Sequence, residues 1–258
     1  MGAKFIVDRR CEVKSSLTLT GLIKSLQYQG LLRQVSNLAA AGALEGHDAD
    51  ARVDLVMPMT EGVPPELTIR ELQEQTAALL DHRLTCRNCP SAIEGQVGGC
   101  IGYIPYPISA GMEFLLWHTA VRGLTGELPD PYLPRVTAFA EKAQGVKRTP
   151  FADALRSRSD LIGERPHVHA EGPIWARTRL SSAQVLELFF REGVVAGDNL
   201  RILAGFLAAA LAVARALEPA LRDEEQRLSL TEEIRPYALT YELMVRALRQ
   251  SIGIYVWP

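Results

Sequence analysis

A chain of 258 residues, 47% of them hydrophobic, is long enough to bury a sizeable core without covalent staples. Its 28 Lys and Arg nearly balance its 30 Asp and Glu, for a formal net charge of −2, which argues against a general nucleic-acid binder with its usual basic excess. Four cysteines are too few for a secreted disulfide scaffold of this length, so they are expected as thiols or metal ligands in a reducing compartment.

The N-terminal residues reach Asp8, Arg9 and Arg10 before a signal-peptide core could form, and Ile6 stands where a myristoylation motif wants Ser or Thr. The most apolar run, Ile202 to Ala214, is closed by Arg201 and Arg215. It falls short of the roughly 20 apolar residues of a spanning helix and reads as a buried core helix. The expectation is therefore a cytoplasmic protein with no membrane association.

In chain order, Lys4–Val7 and Leu17–Thr20 read as short strands. A helix follows over Gly21–Ala43, with Leu22, Leu26, Leu31, Val35 and Leu38 near one stripe and Gly30 able to divide it. Val53–Met57 suits another strand. Thr68 and Glu71 form a capping box, each able to satisfy a first-turn backbone N–H, and the helix they open runs to about His82 with Leu72, Leu79 and Leu80 inward.

Beyond a cysteine-rich loop and the turn at Pro105-Tyr106-Pro107, helical periodicity resumes over Gly111–Val121. Residues 126–179 are rich in Pro, Gly and charge, with short helices expected over 135–143 and 151–157. Ser181 with Gln184 and Ser229 with Glu232 look like further capping boxes, and Asp198 like the N-cap of a helix over 200–217. A last helix is expected over 231–250, with Pro236 tolerable only near its first turn, followed by a terminal strand at Ile254–Trp257.

These elements predict an α+β fold that is predominantly helical. It has a small N-terminal strand element, a Cys-loop metal knuckle and a C-terminal helical bundle. Three regions are expected: a mixed region over 1–125 carrying the metal site, an irregular connection over 126–179, and a helical region over 180–258, which could form one continuous domain with the first.

The most informative stretch runs from Cys86 through Cys89 to Cys100. The Cys-x-x-Cys spacing lets two thiolates turn toward one ion. Glycines 95, 98, 99 and 102 allow the backbone to fold closely around sulfur and offer N–H groups to it. Structural zinc takes four ligands, so Cys11 is expected to join Cys86, Cys89 and Cys100, with His82 as the competing fourth ligand. An iron–sulfur cluster is the alternative occupant, although the spacing matches neither ferredoxin pattern.

His167, His169 and Glu171 would share one side of an extended segment and could hold a catalytic zinc. No base accompanies them, and histidines in a Pro-rich connection are the preferred reading. No Walker loop, dinucleotide fingerprint or nucleophile elbow occurs. The expected function is a zinc-stapled intracellular protein that acts without catalysis, by binding another protein or assembling with itself. An iron–sulfur redox or sensing protein is the alternative, and a metal-dependent hydrolase stands behind both.

Overall fold

A computed structural model describes residues 2–40, 68–105, 108–124, 168–169, 179–180, 185 and 188–257. The expected strand at Val53–Met57, the short helices within 126–179 and the capping box at Ser181 lie outside them, as do His167 and Glu171. The chain divides into two compact units: unit 1 gathers Met1–Arg9 and Ile101–Pro258, and unit 2 is the continuous stretch Arg10–Cys100.

Unit 1 is built on a four-stranded antiparallel sheet in the order β2-β1-β6-β5, with β1 at Gly2–Val7, β2 at Ile101–Pro105, β5 at Gly193–Val195 and β6 at Ile254–Trp257. A separate two-stranded ribbon pairs β3 (Val168–His169) with β4 (Arg179–Leu180). Strand β1 is central, and Ala3, Phe5, Ile6 and Val7 are all buried along it. Each of the larger three side chains contributes roughly 1.5–3 kcal/mol on leaving water. In β6 the pattern alternates: Ile254 and Val256 are buried while Tyr255 and Trp257 stay partly exposed, as a strand with one covered face requires. Across the β1–β6 ladder Lys4 pairs with Trp257, and its ammonium sits 5.9 Å from the indole centroid, within cation–π range.

Among the described residues of this unit, three long helices accompany the sheet. Helix α5 spans Ala110–Leu124, α6 spans Gly197–Leu217 and α7 spans Glu224–Arg249. Ser109 starts α5: its Oγ accepts from the Met112 N–H at 3.1 Å and donates to Glu233 Oε2 of α7 at 3.1 Å, fixing one helix against the other. Helix α6 buries Leu200, Leu203, Phe206, Leu207, Ala210 and Ala214. By length and composition alone, Gly197–Ala220 is long and apolar enough to cross a membrane, more than the apolar run in the sequence suggests, and half of that window is buried within the protein.

Two expected helix starts are displaced. Asp198 lies in the first turn of α6 and Ala196 is the N-cap. Helix α7 begins at Glu224, ahead of Ser229, because Asp223 caps it by accepting from the Glu225 N–H at 3.0 Å. Pro236 therefore stands well inside α7, where it forfeits a helical hydrogen bond. The burial of Tyr237, Thr240, Leu243, Met244 and Ala247 on the following turns holds the helix together across it.

Unit 2 is helical. Helices α1 (Glu12–Leu17) and α2 (Leu19–Ala40) occupy the stretch where a strand was expected at Leu17–Thr20. The chain breaks between them at Thr18, whose φ is 57°, and Thr18 Oγ1 accepts from the Gly21 N–H at 3.2 Å. The β-branched residue that resembles a strand former acts here as a cap. Helix α2 continues through Gly30 and buries Leu22, Ile23, Tyr28, Leu31 and Val35. Helix α3 (Ile69–Asp81) opens on the Thr68–Glu71 capping box as expected, and buries Ile69, Leu72, Thr76 and Leu79 toward α2. Leu80, expected inward, is 62% exposed. A short helix α4 follows at Arg83–Arg87.

Gly102 does not wrap sulfur. It lies in β2, where a Cβ would stand 2.8 Å from Thr240 Oγ1 and 3.0 Å from Leu243 Cδ1 of α7. Gly102→Ala should therefore push the strand off the helix and cost about 1–3 kcal/mol, read as a lower urea midpoint at unchanged slope. A second expectation concerns alkali. Burial, then the charge of Glu233, raise the Tyr237 phenol above its ordinary value of 10.0. Its folded pKa exceeds its unfolded one, so the stability it contributes is full below pH 10 and is lost as pH rises beyond that value. Melting temperatures of the wild type should fall more steeply above pH 10 than those of Tyr237→Phe, which lacks the ionisation.

Candidate metal centre

All four cysteines belong to unit 2, and all are free thiols. Cys11 is the N-cap of α1, with an extended backbone at φ −150°, and its carbonyl accepts from the N–H of Ser15 at 3.1 Å and from its hydroxyl at 3.0 Å. Cys86 is buried in α4. Its carbonyl accepts from the Cys89 N–H at 3.1 Å, and the Cys89 carbonyl accepts from the Ala92 N–H at 3.1 Å, so the chain winds tightly through both residues.

From there the chain turns back in a closed loop. The Ile93 N–H donates to the Gly99 carbonyl at 2.7 Å, and the Gly99 N–H donates to the Gln96 carbonyl at 2.9 Å. Two glycines make this turn sterically possible: Gly95 at φ 62° and Gly98 at φ 75° lie in the left-handed region. A Cβ at Gly95 would meet the Arg87 carbonyl at 3.0 Å, and one at Gly98 would meet Leu26 Cδ1 at 2.5 Å. The loop delivers Cys100, buried, to its end.

The backbone N–H of Gly98 favours the thiolate form of Cys86, the role expected of a glycine beside sulfur. Burial raises the Cys86 thiol, the Gly98 N–H opposes that, and the charges of Cys89 and Cys11 raise it further while Lys14 pulls it down. Cys100 is pushed up to about 11, first by burial, with Lys14 opposing and Cys89, Cys11 and Cys86 adding to the rise. The two buried thiols thus each stand within electrostatic reach of Cys11 and Cys89. Among the described residues, however, no three His, Cys, Asp or Glu side chains converge closely enough to hold an ion as they stand.

His82 caps the junction between α3 and α4, and its Nε2 lies 2.9 Å from Ser16 Oγ of α1. It is not among the groups that shift either buried thiol, whereas Cys11 shifts both. Of the histidine trio, only His169 lies among the described residues, in the short strand β3 opposite Arg179. Lys14 is the residue that reading the sequence missed. It falls three positions after Cys11 in a helix, and that spacing was the available signal, since residues three apart share a helix face.

Compared with models of protein families, with curated proteins and with solved structures, the chain matches none.

Exposure orders the reactivity of the thiols. Cys11 and Cys89 are partly exposed, Cys86 and Cys100 buried. In metal-free, reduced protein, alkylation followed by peptide mass spectrometry should modify Cys11 and Cys89 first, with Cys100 slowest at neutral pH. Early labelling of Cys100 would contradict the placement of the loop.

Proposed function

We propose that Cys11, Cys86, Cys89 and Cys100 take up one zinc ion as a structural staple of unit 2. On this reading the protein is cytoplasmic and non-catalytic, and acts by binding another protein or further copies of itself. The observation that carries the proposal is that all four cysteines are free thiols of one unit, with Cys86 and Cys89 on one tight turn and the hydrogen-bonded loop that follows ending at Cys100. Free thiols rather than disulfides fit a reducing compartment.

A zinc ion held by thiolates sits about 2.3 Å from each sulfur, so uptake must draw the four side chains inward from where they stand. The left-handed glycines at 95 and 98 give the loop that latitude, and the Gly98 N–H already serves the sulfur of Cys86. The thiols would shed their protons on binding, since a coordinating thiol is deprotonated outright. Cys11 is favoured over His82 as fourth ligand because the His82 ring is engaged with Ser16. Four sulfurs also suit an iron–sulfur cluster, and colour tells the two apart.

Purified, reduced protein should bind one equivalent of zinc without visible absorption. Cys86→Ser and Cys89→Ser should each abolish uptake and lower stability by several kcal/mol, because metal affinity becomes folding energy. Cys11→Ser should speed zinc release to a competing chelator, while His82→Ala should leave it unchanged. Failure to bind zinc in the wild type, or the visible band of a cluster in protein purified without air, would overturn the zinc staple.

A further inference from the structure

A cavity of about 820 Å³ opens on unit 2 between α2, α3, α4 and the loop at 94–97. Its wall carries three exposed arginines, Arg33 from α2 and Arg83 and Arg87 from α4. None of them makes an ion pair with a described residue. Among the described lining residues the one carboxylate, Glu94, accepts from Gln96 Nε2 at 2.9 Å and so is held by a neutral amide rather than by a guanidinium. Three cations against one anion leave the described lining residues at a net +2. Arg83 and Arg87 are four apart in one helix, where like charges repel, and an incoming anion would relieve that repulsion.

Leu80 and Leu84 share this lining and are 62% and 73% exposed. Leu80 lies near the end of α3 and Leu84 near the start of α4, on either side of the junction at His82, and both put apolar surface among the cations. Among the described lining residues none is aromatic, so they offer no platform on which a nucleic-acid base could stack. A lone inorganic anion would leave the leucines wet.

The geometry points to a docking groove for an acidic segment of a partner protein, carboxylates facing Arg33, Arg83 and Arg87 and a large apolar side chain set on Leu80 and Leu84. This rests on the protein-binding reading above and specifies the chemistry of the partner. The match is charge complementarity around an apolar anchor, a common way for grooves to select amphipathic segments.

The test uses the full-length protein, zinc-loaded and zinc-free, and a fluorescein-labelled amphipathic peptide rich in Glu and Leu. Comparison probes are the same peptide with Glu replaced by Gln, the same with Leu replaced by Ala, and a single-stranded oligonucleotide. The acidic peptide should raise anisotropy on titration, both altered peptides should bind more weakly, and added salt should weaken binding. The double variant Arg83→Glu, Arg87→Glu should reduce affinity by about tenfold or more, since two attractions become repulsions. The milder Arg33→Gln and Leu84→Ala should each weaken it less, with far-UV circular dichroism checking that every variant folds. Peptide binding that survives the charge reversal would overturn the groove while leaving protein binding itself standing. An oligonucleotide that binds more tightly than the peptide, or absence of peptide binding to well-folded protein, would overturn the groove outright. Zinc uptake measured on the same samples reports on the staple separately.

Discussion

The pairing of β1 with β2 is the constraint on which the arrangement of this chain depends. Ile6 lies opposite Ile101 in that ladder, and the whole of unit 2 is threaded between the two strands. Cys11 lies four residues beyond the end of β1, and Cys100 immediately precedes β2. Two thiols far apart in sequence are thereby attached close to paired strand ends, while Cys86 lies in α4 and Cys89 in the turn that follows it. The ladder is itself demanding: at Gly2 a Cβ would stand 2.5 Å from the Ile104 carbonyl oxygen and 2.6 Å from the Tyr103 ring, so that position has room for glycine alone. On its other edge β1 is held by β6, and the Asp8 N–H donates to the Gly253 carbonyl at 2.8 Å just past the strand.

What the sequence reveals is largely what local chemistry decides. The capping box at Thr68 and Glu71 is self-contained within one turn, and the helix it opens forms where the residues say it should. Strands β1 and β6 announce themselves through runs of β-branched and aromatic residues. The helix-rich α+β class follows from such signals. Local chemistry misleads where two local solutions compete. Ser229 and Glu232 have the spacing of a cap, but Asp223 starts the helix earlier and leaves them inside it. Thr18 and its neighbours carry strand propensity, yet the Thr18 hydroxyl spends its hydrogen bond on Gly21 and separates two helices instead.

Long-range consequences were hidden for a different reason. Nothing within Ile101–Pro105 marks it as a strand, because a glycine and a proline dilute its pattern. Only the presence of β1 beside it and α7 above it makes Gly102 and Ile104 buried. The cysteine spacing suggested a site, and the structure places the four thiols in one unit with the glycine N–H that sulfur chemistry wants. It does not bring them to ligand distance. Periodicity placed Leu80 in the core, whereas the helix turns it outward beside Leu84. The three arginines around them attract no notice in a chain whose charges nearly cancel, since only folding gathers residues 33, 83 and 87 onto one wall.

The threading of unit 2 between β1 and β2 also has a kinetic side. A ladder that must close around a long, unstructured stretch carries a loop-closure entropy that grows with the logarithm of its length, and contacts so distant in sequence slow the search for the native state. Unit 2, by contrast, is one continuous stretch of chain whose described helices find their packing partners within that stretch, the kind of structure that assembles early. Once it has condensed, the flexible tether joining β1 to β2 shrinks from its full contour to the span between two ends of a folded body. The order of events that minimises the entropic barrier is therefore helices first and the sheet afterwards.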